Sequence, residues 1–572
     1  MALDIRRAAT EAVVALLFTA TLLGNLNGVY GLVSQSIRGM GEWEGRDYRG
    51  NGENTDAFRE LVEKHLAPGE RLYYCSNSKD GRLSPAERST HLALAWAQSP
   101  TPVEFGNAGG VGEASAVIAS RYLRVDFPGY WLVAENETAA LWRRGDLAVE
   151  STDAKRINST PAPWFEFSGA FAVCAMIALF ACGMVREKKG GARENLSDCN
   201  DHSFGNSMIP SVAAIVFFCV AAFLTLTHTF LAPNGLGVYG GKARLLFQSG
   251  CIPEGFFVNP AFSSYQPAYP PGLVLLTLGA YWIAGGCGEW LIQLIPAFTA
   301  AVVLWLMTRF AVESRWAVPW LVAAFLGIQT LQMSTQFYAE PFVALFSMLG
   351  WMRLRKRRDD VLGWLLIGSS GLFKVEGLVL LLAVWVSLSA NSVLSSKNVY
   401  GRLSLSFWFV RLLAASSLPL SWHVGCRLAG AEFYDYASFF SPDSAKFCEA
   451  LCYLMKTAFL EPWRYGFAYP IAAAVVAFVF GGKLADRECD VSPSLAVSAF
   501  VALICPLSFA AIYSLSLAPD FEWHLWSSEA RLLWIPSLFI LLECAAISKR
   551  ASHKATFEKD EADFDRAAIE ER

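Results

Sequence analysis

Three short polar sets border or interrupt apolar stretches of this chain, and their residue types are those of phosphate handling and acid–base chemistry. Tyr338-Ala339-Glu340-Pro341 opens one apolar run, Lys374-Val375-Glu376-Gly377 breaks another, and Glu522-Trp523-His524 with Ser528-Glu529-Ala530-Arg531 precedes the last. Charged groups at membrane depth are costly and so point to function. Alone, each set reads as an interfacial anchor; together they bring carboxylates, a lysine and an arginine to one depth. A guanidinium grips phosphate through paired hydrogen bonds, an ammonium is a point charge, and a carboxylate can take a proton or hold a metal. Such a set suits a substrate with phosphate on a lipid and a hydroxyl to be activated. The stretch 232–270 adds Asn234, Lys242, Arg244, Glu254, Tyr265 and Tyr269 among prolines and glycines. On pattern alone it is equally a connector.

The elements that must position these residues follow from composition. The 572 residues are 54% hydrophobic and only 17% charged, whereas soluble domains carry about a quarter of their residues as charges. A spanning helix needs roughly 20 apolar residues. Such runs recur at 10–33, 166–185, 208–231, 287–311, 316–333, 339–353, 361–373, 375–393, 404–422, 464–482, 492–515 and 531–547. The expectation is an α-helical polytopic membrane protein with about twelve spans, since backbone groups in hydrocarbon must be paired within their own helix. With a net charge of −4, the basic field that draws a chain to nucleic acid is missing.

Lysine and arginine bias sets the orientation. Arg6 and Arg7, the set from Arg186 to Arg193, and Arg353 to Arg358 fall on one side if spans alternate, and the acidic tail 548–572 returns there. That side is cytoplasmic, so 34–165, 232–270, 334–339, 423–463 and 516–530 face outward. The first run, within 1–33, reads as a retained anchor in preference to a cleaved signal peptide. The segment 166–207 holds the second span and a cytoplasmic loop.

The insert 34–165 reads as an extracytoplasmic α/β domain. Thr55–Leu66 and Pro85–Gln98 have helical spacing, while Arg71–Ser76, Val103–Phe105, Tyr130–Ala134 and Ala139–Arg143 read as strands. Gly106–Gly112 is glycine-rich but has no nucleotide-binding pattern and reads as a turn. The thirteen cysteines contain no C-x-x-C pair. Cys448 and Cys452 are close in a polar stretch, as an inert pair on one helical face or, less favoured, a zinc or disulfide pair.

The succession Tyr239-x-x-Lys242-Ala243-Arg244, Tyr269-Pro270-Pro271-Gly272, Tyr338-Ala339-Glu340, Lys374-Val375-Glu376-Gly377 and Trp523-His524-x-x-x-Ser528-x-x-Arg531 resembles the GT-C class of integral-membrane glycosyltransferases. Within it the sequence is similar to bacterial relatives of protein O-mannosyltransferases and of the aminoarabinose transferase of lipid A. The resemblance covers 208–547 and leaves out 34–165. It implies an inverting enzyme of the bacterial plasma membrane. Such an enzyme moves a sugar from a polyprenyl-phosphate donor to a glycan, lipid or protein acceptor on the extracytoplasmic face.

By the resemblance, Glu340 is the acidic residue at the acceptor. Lys242, Arg244, Tyr265, Tyr269, Lys374, Glu376 and Arg531 contact donor or carrier, and His524 is a polar wall. Where relatives have an acidic residue in the first large outer loop, this chain has Asn234. An amide is no general base, so Glu340 or Glu254 takes that role, or catalysis is lost. A divalent cation held by Glu340, Glu376 and His524 is open. Competing readings are a transporter or flippase of lipid-linked sugars, and a non-catalytic membrane scaffold.

Overall fold

The computed structural model describes residues 209–227, 234–395, 405–431, 442–484, 492–516 and 521–547, with short breaks in the second and last of these, and parts of 13–23 and 58–144. The second span and loop expected at 166–207, the helix at 85–98 and the tail 548–572 lie outside the described residues.

The described chain is mostly helical, with one small sheet. Among the described residues three helical stretches are long and apolar enough to cross a membrane: Ile292–Ala311, Pro493–Tyr513 and Ser528–Ile547. A fourth candidate is Ala317–Phe325 with Gln329–Thr335, bent by 57°. The run 316–333 therefore breaks at Gly327, which starts the second piece in extended conformation. The tract 361–393 divides into Val361–Ser369, a 3-10 turn Ser370–Leu372 and Glu376–Ser395. Gly272–Ala284 is a further apolar helix, at 13 residues shorter than the roughly 20 a span needs and preceded by two prolines. In the first apolar run, Val13, Leu16 and Leu23 are exposed while Leu17 packs on the main core.

Two of the helices that carry the site stand side by side. Glu340–Lys356 meets Ser528–Ile547 at one end through Glu340 and Arg531, 3.7 Å apart. Midway Trp351 packs on Phe539. At the far end Arg355 pairs with buried Glu543 at 2.9 Å, and the Trp351 indole donates to the same carboxylate. At about 1.5 Å per residue the two ends are about 22 Å apart, with apolar packing between, and Arg353–Arg358 cluster beyond the second end.

Small residues let neighbouring helices approach closely. A Cβ on Gly350 would lie 2.6 Å from the Gly363 carbonyl, and one on Gly368 would collide with the Ala415 backbone. Gly368→Ala is expected to lower stability by about 1–3 kcal/mol, because the helix at Ala415 has to move. Gly481→Ala, with open space around it, should leave stability unchanged or higher. Melting temperatures of the solubilised variants check this; equal shifts would refute the close-packing argument.

The sheet has the order β2-β1-β3-β5-β4, from Leu72–Cys75 (β1), Glu104–Gly106 (β2), Ala116–Ser120 (β3), Tyr130–Glu135 (β4) and Ala139–Arg144 (β5). Strands β2, β1 and β3 are parallel; β3, β5 and β4 are antiparallel. Four of the strands coincide with the expected segments. The central one, Ala116–Ser120, does not, because its run of small and apolar residues lacks alternation. Leu72, Tyr74, Ala116, Ile118 and Leu141 pack on Phe58, Leu61 and Val62 of a helical segment. Leu245, Phe256, Phe262 and Tyr265, from the stretch 232–270, share that core.

Candidate functional site

Glu340 and Glu376 are each the first residue of a helix, where free N–H groups and the helix dipole favour an anion. Pro341 follows Glu340 in the first turn, where its missing N–H costs nothing. Lys374 sits in the break before Glu376, and Arg531 lies on the helical stretch Ser528–Ile547. Two helix N-termini and the helix that carries Arg531 thus meet around four charges.

Lys374 Nζ lies 2.8 Å from Glu340 Oε1 and 2.6 Å from Glu376 Oε1. Glu340 and Lys374 are almost fully buried, so the pair is held where water cannot replace either partner. Arg531 donates to Ser528 Oγ at 2.7 Å, stacks 5.2 Å over the Tyr338 ring and reaches Glu340 at 3.7 Å. The Oε2 atoms of Glu340 and Glu376 are buried without a hydrogen-bond partner among the described residues. An ionised carboxylate oxygen only accepts, so a donor such as a ligand hydroxyl is what these atoms lack.

Tyrosines form one wall. Tyr239 and Tyr269 are hydrogen-bonded through their side chains, with rings 5.8 Å apart, and Tyr239 also packs on Phe337. Burial, followed by the fields of Glu340 and Glu376, pushes the Tyr239 phenol well above its ordinary range. Burial does the same for Tyr269, so both remain neutral hydroxyls. Phe337, just before Tyr338, has φ 55°. A bulky residue in the left-handed region costs energy and persists only where its surroundings enforce it.

Not every expected residue joins this group. Lys242 is buried, yet it donates to the backbone carbonyls of Gln266 at 2.8 Å and Tyr269 at 3.5 Å. It clasps the turn that carries Tyr269. Tyr265 belongs to the core shared with the sheet, and Arg244 acts on Tyr265 electrostatically. Glu254 is exposed, away from the cluster's contacts. Asn234 starts a π-helical turn to Gly241, but its side chain and all of His524 lie outside the described residues.

Among the described residues no three His, Cys, Asp or Glu side chains are grouped to hold a metal ion. Lys374 already supplies positive charge between Glu340 and Glu376. Cys448 and Cys452 are exposed and unbridged on Ser444–Leu460.

Three residues quoted within the motifs were given no role by pattern. Tyr239 and Tyr338 stand inside the quoted motifs, but a tyrosine beside glycines or at a span end is an ordinary anchor. Glu529 forms a second polar cluster: it accepts from the Tyr465 hydroxyl at 2.5 Å and lies 3.7 Å from Arg464, which pairs with Glu461. The signal was Glu461-Pro462-Trp463-Arg464-Tyr465, a charged pair flanked by aromatics at a span boundary.

No protein family model, curated protein or solved structure matches the chain. The functional reading therefore rests on the geometry and on the ordered motifs.

Lys242 carries a prediction of its own. Burial pulls its ammonium from the ordinary 10.5 down to about 7. The folded chain then holds this proton less tightly than the unfolded chain does. On this account stability is flat below pH 7, rises as pH goes from about 7 toward 10.5, and levels off above. Lys242→Met should remove that rise. Unfolding midpoints of both proteins at several pH values between 7 and 10 test it; parallel curves would mean the lysine is not desolvated.

Proposed function

We propose that the chain is an integral-membrane glycosyltransferase of GT-C-like architecture with about twelve spans. It moves a sugar from a polyprenyl-phosphate carrier to an acceptor hydroxyl on the extracytoplasmic face. The observation that carries this reading is the meeting of Glu340, Lys374, Glu376 and Arg531 where two helices begin, beside a tyrosine wall.

The chemistry divides among these groups. Glu340 Oε2 accepts the hydrogen bond of the acceptor hydroxyl and takes its proton as the oxygen attacks the anomeric carbon. The new carbon–oxygen bond forms as the bond to phosphate breaks, and the carrier phosphate leaves with the electron pair. Lys374 is engaged by two carboxylates, so the departing phosphate falls to Arg531, whose guanidinium suits bidentate binding. Ser528 and Tyr338 hold that guanidinium in place. Glu376 anchors Lys374, and so positions Glu340. The substitution of Asn234 for an acidic residue is compatible with this scheme because Glu340 carries the base. Donor, acceptor and orientation follow the motif order and the charge bias of the loops.

The test is transfer of label from a panel of radiolabelled polyprenyl-phosphate sugars to an envelope extract by purified protein in nanodiscs. Transfer by the unmutated protein and none by Glu340→Gln supports the reading. No transfer with any donor, from folded protein, overturns it.

A further inference from the structure

We propose that the small α/β module is a clamp that holds the Tyr269-bearing loop in its working conformation. The activity arm of this proposal rests on the glycosyltransferase reading; its structural arm does not.

The module and the loop share a core that neither completes alone. Phe58, Leu61, Val62, Leu72, Tyr74, Ala116, Ile118 and Leu141 of the module are buried in one cluster with Leu245, Phe256, Phe262 and Tyr265 of the loop. Within the loop the aromatics form a chain. Phe256 packs on Phe262 at 5.3 Å, and Phe262 on Tyr265 at 6.3 Å.

The next residue, Gln266, has φ 45°. For a residue with a side chain this backbone state is unfavourable and is kept only when neighbours over-determine it. Those neighbours are present on both sides. Tyr265 is locked in the shared core, and the Gln266 carbonyl accepts from Lys242 and from the Tyr269 N–H at 2.9 Å. Farther along, the Trp422 indole donates to the Ala268 carbonyl at 3.2 Å. The turn so fixed presents Tyr269 to Tyr239 and to the fields of Glu340, Glu376 and Arg531. If the module's half of the core loosens, the hold through Tyr265 is lost on one side of Gln266, and the competent position of Tyr269 becomes a fraction of an ensemble. Apparent affinity then falls in proportion to that fraction.

Strand β3 supplies the test, because neighbouring residues of a strand point to opposite faces. Ile118 and Val117 are both fully buried, but only Ile118 belongs to the core shared with the loop. Ile118→Ala and Val117→Ala are compared in the full-length protein, with Ile118→Val as a milder variant should Ile118→Ala fail to fold. Amide exchange is followed across 242–269. Ile118→Ala is expected to lose protection there and to raise KM about 3- to 10-fold at little cost in kcat. Ile118→Val should recover most of both, and Val117→Ala should leave loop protection and KM unchanged.

Unchanged loop protection in Ile118→Ala, or equal loss in both alanine variants, would overturn the clamp. Absence of transfer in the unmutated protein would overturn the glycosyltransferase reading instead, and the exchange comparison would still decide this one.

Discussion

Glu340→Gln is expected to leave the protein folded and to reduce sugar transfer by about 10²–10⁴-fold, the contribution of a positioned base. Glutamine keeps the size of the side chain and can still accept from Lys374, but its amide cannot take a proton. Folding survives for a specific reason. Once Glu340 loses its charge, Lys374 still has Glu376 at 2.6 Å. Arg531 loses its carboxylate at 3.7 Å but keeps the Ser528 hydroxyl at 2.7 Å and the Tyr338 ring, so the variant is weakened without losing its fold. The measurement is kcat/KM for transfer beside a melting curve. Retained transfer in a folded variant would remove Glu340 from the chemistry. Transfer lost together with the fold would reduce it to a structural ion.

Lys374→Met should have the largest effect on stability. Removing one partner of a buried ion pair costs about 3–5 kcal/mol, because the other charge stays buried without compensation. Here two carboxylates share the one ammonium, and the only other cation in contact with Glu340 among the described residues is Arg531, at 3.7 Å. Lys374→Met therefore leaves Glu340 and Glu376 as neighbouring like charges. The double variant Glu340→Gln with Lys374→Met should be less destabilised than the sum of the two single changes, since the second change removes the charge that the first exposes. Denaturant midpoints of the four proteins measure that coupling. Strict additivity would show that the pair is not an energetic unit.

How far each feature was legible in the sequence depends on its range. A charge inside an apolar run stands out in one dimension, so Glu340, Lys374, Glu376 and Arg531 could be singled out before any fold was known. The helical class was equally accessible, because hydrocarbon leaves the backbone few ways to pair its polar groups. Strand Ala116–Ser120 was missed because a central strand is chosen by its neighbours rather than by its own pattern. The bend between Ala317–Phe325 and Gln329–Thr335 was hidden within one apolar run.

Lys242 and Tyr265 show the other boundary of sequence reasoning. Lysine suits a phosphate and a backbone carbonyl alike, and only the position of the Gln266 and Tyr269 carbonyls assigns this one to the turn. Tyr265 has the composition of a site residue but is claimed by the core around Ile118. The Tyr465–Glu529 contact joins residues 64 apart in sequence, beyond the reach of any periodicity.

The sequence by itself determined the mostly helical, membrane-suited character of the chain and the charged residues that apolar helices must carry at their ends. Hydropathy and charge are properties of single residues, summed over a window. Tertiary structure alone decided which charges pair, that one lysine serves two carboxylates, and that the sheet shares its core with the Tyr269 loop. Those are relations between distant segments, fixed by packing and by the demand that every buried charge find a partner.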